Sequence, residues 1–284
     1  MKKILLTIIN KHFFVSILLG IIMLCMSVTS QNVFAQKIVL TTGGDEASFK
    51  LIGEGDVIIN WGDDKIDRDS LEPNLTEFKH SYLKKKSYTV TITCANIIYL
   101  DCRSNNLTSL DVSGCSTLTD LYCEKNELTS LDVSKNIELK TLWCGWNKLT
   151  SLDVSKNIEL KTLWCNWNNI PSLDVSKNIK LKDLDYSGNN MFNIPSLDVS
   201  KNIELETLAC GSNNLPSLDV SKNIKLKDLD CKNNKLTYPA LNALFKSLPK
   251  SDVKSKKISI DGNPGYSNCD QSIAKNKGWR VSSK

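Results

Sequence analysis

The chain has 284 residues, 24% of them charged, and a formal net charge of +5 from 36 Lys and Arg against 31 Asp and Glu. Three of those positive charges sit on Lys2, Lys3 and Lys11, so residues 36–284 carry only +2, which excludes the basic footprint of a nucleic-acid-binding protein. Ten cysteines stand beside only two histidines, His12 and His80, with no Cys-x-x-Cys spacing, so neither a zinc site nor any other cofactor is expected.

Residues 1–35 read as a secretory signal peptide: the three lysines form a basic start, residues 13–28 an apolar stretch, and Val33-Phe34-Ala35 a small-residue exit before Gln36. That stretch is shorter than the roughly 20 apolar residues of a membrane-spanning helix. The expected product is an exported protein, secreted, held at the cell surface or periplasmic, with no membrane span after cleavage. Residues 36–96 carry no repeat but alternate apolar and polar residues, as in Val57-Ile58-Ile59-Asn60-Trp61 and Tyr88-Thr89-Val90-Thr91-Ile92. Such alternation predicts a small antiparallel β-sandwich, placed to cover one end of the repeats that begin near residue 97. Trp61-Gly62-Asp63, His80-Ser81-Tyr82 and Tyr88-Thr89-Val90-Thr91-Ile92 resemble the WGDG, H-x-Y and Y-x-V-x-L elements of PKD-like domains, with Asp64 in place of the last glycine. Asp63 is expected to stabilise a turn.

From residue 97 to 238 a 21-residue unit recurs seven times, anchored on Leu100, Leu121, Leu142, Leu163, Leu184, Leu208 and Leu229, with one three-residue insertion around Met191-Phe192-Asn193. A unit this short cannot bury its own apolar side, so the copies must stack into a solenoid. Two positions after each anchor stands a cysteine, or Tyr186 in the fifth unit; three further on stands an asparagine, from Asn105 to Asn234. The i, i+2 spacing puts Leu and Cys on the inner face of a short strand. The asparagine offers amide donors and an acceptor to backbone groups stranded where the strand turns away.

The segment Leu139-x-x-Leu142-x-Cys144-x-x-Asn147-x-Leu149 resembles the leucine-rich repeat pattern, with cysteine replacing one leucine, as in the cysteine-ladder subclass of internalin J-like bacterial surface proteins. The resemblance covers residues 100–236. It implies an α/β-type solenoid dominated by β, right-handed, with a parallel sheet on its concave face and a non-catalytic recognition role. In the return arm of each unit, Leu131, Val133, Ile137 and Leu139 are expected to fill the core, while Asp132, Lys135 and their counterparts form solvated charged ladders. Ladder cysteines on adjacent strands sit about 4.8 Å apart, beyond the roughly 3.8 Å between Cβ atoms that a disulfide needs. They read as small buried hydrophobes. The pairing of Cys94, Cys115 and Cys269 is left open.

Residues 239–284 leave the period as a closing αβ cap. A helix opened by Pro239 is followed by a strand at Lys257-Ile258-Ser259-Ile260, a turn at Asn263-Pro264-Gly265, a short helix at Gln271-Ser272-Ile273-Ala274 and a strand at Trp279-Arg280-Val281. Lys254, Lys256, Lys257, Lys275, Lys277 and Arg280 are read as a solvated surface of this cap.

Variable positions of the repeat carry the candidate site. Tyr99, Tyr122, Trp143 and Trp164 fall near one column of the concave face, Trp146 and Trp167 lie further along, and acidic residues including Asp183 and Asp185 frame them. Tryptophan and tyrosine lead the residues that anchor interfaces. The face is only about 30 Å long at about 4.8 Å per strand step. A protein partner therefore needs loops or caps as well, whereas a peptide or glycan fits the patch alone. Two readings compete: a monomeric protein-binding module, or a carbohydrate-binding one in which Trp143 and Trp164 stack on sugar rings and Asp183 or Asp185 accepts hydroxyls. The structural alternative to both is that neighbouring indoles only stack on one another. No Ser-His-Asp, Cys-His or metal signature points to an enzyme.

Overall fold

Residues 36–96 and the repeats are joined by one strand rather than by a linker. The computed structural model describes residues 35–189, 196–250 and 256–282; the signal-peptide reading, the insertion at Met191-Phe192-Asn193 and Lys254 lie outside the described residues. Residues 36–284 form one compact unit. Its first five strands are β1 (Gln36–Thr42), β2 (Glu46–Asn60), β3 (Ile66–Leu71), β4 (Thr76–Ser81) and β5 (Tyr88–Asp101). Along β5, Tyr88–Cys94 pairs antiparallel with β1, and Tyr99–Asp101 pairs antiparallel with Lys50–Ile52 of β2 on one side. On its other side Tyr99–Asp101 pairs parallel with the first strand of the solenoid ladder, β7 (Asp120–Tyr122), while β6 (Leu107–Asp111) returns to pair with β1.

β2 serves both arms of this cap because it shifts register between Ile52 and Val57. Gly53 is obligatory there: a Cβ at this residue would stand 2.1 Å from the Asn96 carbonyl oxygen. Alternation holds on either side of the shift, burying Ala47, Phe49, Leu51, Val57 and Ile59. At the Trp61 turn, Asp63 accepts from the Lys65 N–H at 3.3 Å and its Oδ2 meets His80 Nε2 at 2.8 Å. The His80 ring stacks on the buried Trp61 indole, and the Tyr82 hydroxyl donates to the Trp61 carbonyl at 2.9 Å. The histidine lowers the Asp63 pKa, which fits a turn aspartate.

The ladder continues through β8 (Thr141–Trp143), β9 (Thr162–Trp164), β10 (Asp183–Asp185), β11 (Thr207–Ala209) and β12 (Asp228–Asp230), all parallel and in register. Each strand is three residues long with only its central leucine buried, and the cysteine two positions on extends the pairing: Cys144 N–H donates to Trp164 O at 2.8 Å. The asparagines then close the turn. Asn147 Nδ2 donates to the carbonyls of Cys123, Cys144 and Gly145 at 3.0–3.2 Å, and its Oδ1 accepts from Leu128 N–H at 3.0 Å. One side chain thereby satisfies backbone groups of two consecutive units, which is why it recurs at a buried position.

Two expectations are corrected. Ile137 is not in the core: it and its counterparts Ile158, Ile179, Ile203 and Ile224 are 53–67% exposed. The residue before it, Asn136, is buried instead, donating to Val112 O at 2.9 Å and Cys115 O at 2.7 Å, so the turn it closes rotates Ile137 outward. The lysine cluster near the C-terminus is not a uniformly solvated surface either. Lys256 is buried over the Trp279 ring, Lys257 pairs with Asp228 at 2.9 Å, and Lys277 Nζ binds the carbonyls of Lys246 and Leu248.

The closing elements are α1 (Tyr238–Ser247), β13 (Lys256–Ser259), α2 (Ser272–Lys275) and β14 (Trp279–Ser282), and the two strands add to the parallel ladder after β12. β13 is a further degenerate unit. Ile258 and Ile260 take the places of leucine and cysteine, and Asn263 donates to Cys231 O and Ile260 O at 2.9 and 2.8 Å while accepting from Leu236 N–H. The nine cysteines among the described residues are free thiols, Cys94 and Cys115 buried and Cys269 partly exposed. Cys115 occupies the position of Asn136 in its unit. No preceding turn exists for an asparagine to bind there, since β1 crosses at that point and a Cβ on Gly114 would stand 2.6 Å from Lys37 O.

Candidate functional site

The ladder register sorts the outward residues into two rows. One runs Tyr99, Asp120, Thr141, Thr162, Asp183, Thr207, Asp228; the other runs Asp101, Tyr122, Trp143, Trp164, Asp185, Ala209, Asp230. Tyr122, Trp143 and Trp164 are therefore cross-strand neighbours, as expected, but the row continues into Asp185 instead of beginning at Tyr99. Tyr99 lies in the adjoining row, its ring 5.1 Å from that of Tyr122.

The rings form a continuous stack. Trp143 and Trp164 face each other at 4.0 Å and 6°, and Tyr122 meets Trp143 edge-on at 4.9 Å and 77°. Stacking of this kind covers the facing sides of the two indoles and leaves both residues half-buried. Trp143 and Trp164 Nε1 are buried without closing a hydrogen bond. The Trp164 indole nevertheless lies near enough to Asp183 to oppose the upward pKa shift that burial imposes on that carboxyl.

Trp146 and Trp167 come from a third position, immediately before each ladder asparagine. Here the chain turns inward with positive φ in every unit: 57° at Ser104, 55° at Lys125, 55° at Trp146, 53° at Trp167, 72° at Gly188, 56° at Ser212 and 51° at Asn233. Glycine and asparagine tolerate this region, whereas a bulky side chain is strained in it. Two tryptophans occupy it all the same, 50% and 44% exposed, with ring centroids 4.9 Å apart. Trp167 lies on Gly188, where a Cβ would stand 2.7 Å from the indole.

Arg103 does not stand out in the sequence, although its place in the unit, matching Glu124, Gly145 and Asn166, marks it as outward. It grips Asp101 with two hydrogen bonds of 2.8 and 2.9 Å, lies 3.7 Å from Glu124, and sits 5.4 and 5.8 Å from the Tyr122 and Trp143 rings. Beyond it opens a polar cleft of about 450 Å³ lined by Asp45, Glu46, Lys50, Glu77, Asp101 and Arg103, among others. Lys50 arrives by pairing of β2 with β5, which no local pattern reveals. At the other end, burial raises the pKa of Asp183 and Asp185, and Asp185 accepts from Ser187 N–H at 2.9 Å. Among the described residues no group of three or more metal-binding side chains occurs, and no helix is long and apolar enough to cross a membrane.

No protein-family model and no curated protein matches the chain. Among solved structures it is similar to the functional domain of InlJ from Listeria monocytogenes, which includes a cysteine ladder: 41% identity over 63% of this chain and 37% of that one, with a TM-score of 0.54. It also matches a leucine-rich repeat protein of Leptospira interrogans at 21% identity and a TM-score of 0.44, over 61% of this chain and 50% of the other. The chain thus spans about a third of the InlJ structure and half of the Leptospira one. The parallel register, the asparagine-closed turns and the buried cysteine column make this chain a leucine-rich repeat solenoid with a cysteine ladder.

Proposed function

We propose that this chain is a non-catalytic recognition protein, exported or displayed at the cell surface, that binds a protein partner through its concave repeat face, with the PKD-like segment as its N-terminal cap. The observation that carries this reading is the placement of Trp146 and Trp167. Both are about half exposed, in a backbone conformation that disfavours them, at the turn that follows each strand. The turn imposes this φ in every unit, so what sets these two units apart is a large exposed aromatic where the others carry Ser, Lys, Gly or Asn. Aromatic residues there bury large areas once a partner arrives. Tyr122, Trp143, Asp183 and Asp185 extend the same surface.

Protein and glycan arrays probed with the full chain and with a variant that replaces all four tryptophans of the face, Trp143→Ala/Trp146→Asn/Trp164→Ala/Trp167→Asn, test this reading, with circular dichroism confirming the fold of both. Protein binding that disappears in the variant supports it. Glycan binding lost in the variant instead moves the assignment to carbohydrate recognition, and binding unchanged in both arrays removes the aromatic face from the function.

A further inference from the structure

The aromatic row is flanked by carboxylates at both ends, but among the described residues only the first end pairs its carboxylate with a cation. At the first end Asp101 grips Arg103, whose guanidinium lies against the Tyr122 and Trp143 rings. That order, carboxylate then cation then ring, combines a charge-assisted hydrogen bond with the attraction of a cation to an aromatic face. At the second end the row passes from Trp164 to Asp185 in direct register, with Asp183 beside it. Neither carboxylate forms an ion pair among the described residues, although Asp228 and Asp230 are matched by Lys257 and Lys232, each at 2.9 Å.

We infer that the open sheet face takes an extended polypeptide segment carrying an arginine or lysine, and that this side chain seats at the Trp164 end of the aromatic row against Asp183 and Asp185. This rests on the face being the recognition surface proposed above. Thr207 and Ala209, the small residues of the next strand, separate Asp183 and Asp185 from Asp228 and Asp230 by two strand spacings, about 10 Å. A cationic head therefore has room beside Trp164 without displacing an existing pair. The exposed Trp146 and Trp167 edges run alongside as an apolar wall for the flanking residues. Trp143 and Trp164 cover each other's inner faces, so a sugar can stack on neither of those two faces. Burial raises the pKa of both carboxyls, Asp228 adding to the effect at Asp183 and Asp230 at Asp185, with Lys232 opposing it at Asp185. An incoming cation offsets that cost of burial.

A random-peptide phage library selected on the full chain is the test. The selected peptides are expected to be enriched in Arg and Lys, and to bind Asp183→Asn/Asp185→Asn at least about tenfold more weakly than the unaltered chain. Their affinity for the unaltered chain is expected to fall as salt is raised, a readout independent of how the variant folds. Asparagine keeps the acceptor used by Ser187, so circular dichroism is expected to match. Failure to select any peptide, peptides without basic enrichment, or affinity indifferent to both the double substitution and salt overturns the inference. Should binding vanish in Trp146→Asn/Trp167→Asn yet ignore Asp183→Asn/Asp185→Asn and salt, the cation seat falls while the recognition face stands. Should neither substitution pair matter, both fall.

Discussion

Asn147 and Trp146 are sequence neighbours with opposite relations to the fold. Asn147 is buried and joins two units through its amide, so Asn147→Ala strands the Leu128 N–H, while the Cys123, Cys144 and Gly145 carbonyls each lose one donor and keep another, from Asn126, Asn168 and the Lys125 N–H. Each buried group left unpaired costs about 1–3 kcal/mol. A loss of about 1–3 kcal/mol is expected in urea denaturation; a loss below about 0.5 kcal/mol, ordinary for a surface change, would show that the amide ladder is not what holds the turns. Trp146 and Trp167 sit in the left-handed region without burial to hold them there. Gly188 is what lets Trp167 lie flat. Gly188→Ala combines a positive φ of 72° with a Cβ 2.7 Å from the indole, so it is expected to destabilise by about 1–3 kcal/mol and to shift the tryptophan emission. Unchanged emission would mean that Trp167 does not rest on Gly188.

The repeated strand is readable in the sequence because its pattern is local: a central leucine, a cysteine two positions on and an asparagine three further are all dictated by one short strand and its turn. Ile137 is misplaced by the same reasoning because alternation does not survive the turn closed by Asn136. The unit at β13 escapes the pattern because Ile258 and Ile260 preserve the shape of leucine and cysteine without the letters. Asp183 and Asp185 fall on one face from spacing alone, but their lack of an ion pair among the described residues, and the arrival of Lys50 from β2, depend on pairing across distant residues. The cysteine column makes its own prediction. Burial raises the thiol pKa of Cys102, Cys123, Cys144, Cys165, Cys210 and Cys231, and pushes Cys115 up to about 12. A folded pKa above the unfolded one contributes stability that is complete below the unfolded value, near 9, and lost as pH rises through the folded value. Urea midpoints are therefore expected to fall steeply above about pH 9, and a flat profile would place the thiols in water. In the native state a thiol reagent is expected to modify Cys269 first, since it alone among the described cysteines is not buried.

At the scale of the molecule, the cap and the solenoid share β5, and β2 lies beside it along both halves. An open solenoid end exposes an unpaired strand, and here β2 pairs with that edge directly. Denaturation followed by far-ultraviolet circular dichroism and by Trp61 fluorescence, isolated by replacing the other tryptophans, is expected to show one coincident transition; a separate early transition at Trp61 would make the cap an independent domain. The central claim is that the two exposed tryptophans are kept for binding rather than for folding. Asparagine already occupies the same turn position at Asn233, with φ 51°. Trp146→Asn/Trp167→Asn relieves roughly 1–2 kcal/mol of left-handed strain per residue and forfeits about 0.5–1.5 kcal/mol of ring stacking. The most direct measurement is therefore the Tm of this double variant taken together with its affinity for the partner identified on the protein array. The expected result is a Tm that is unchanged or higher, with binding lost. A lowered Tm with binding intact would show that the tryptophans serve the fold and that recognition lies elsewhere.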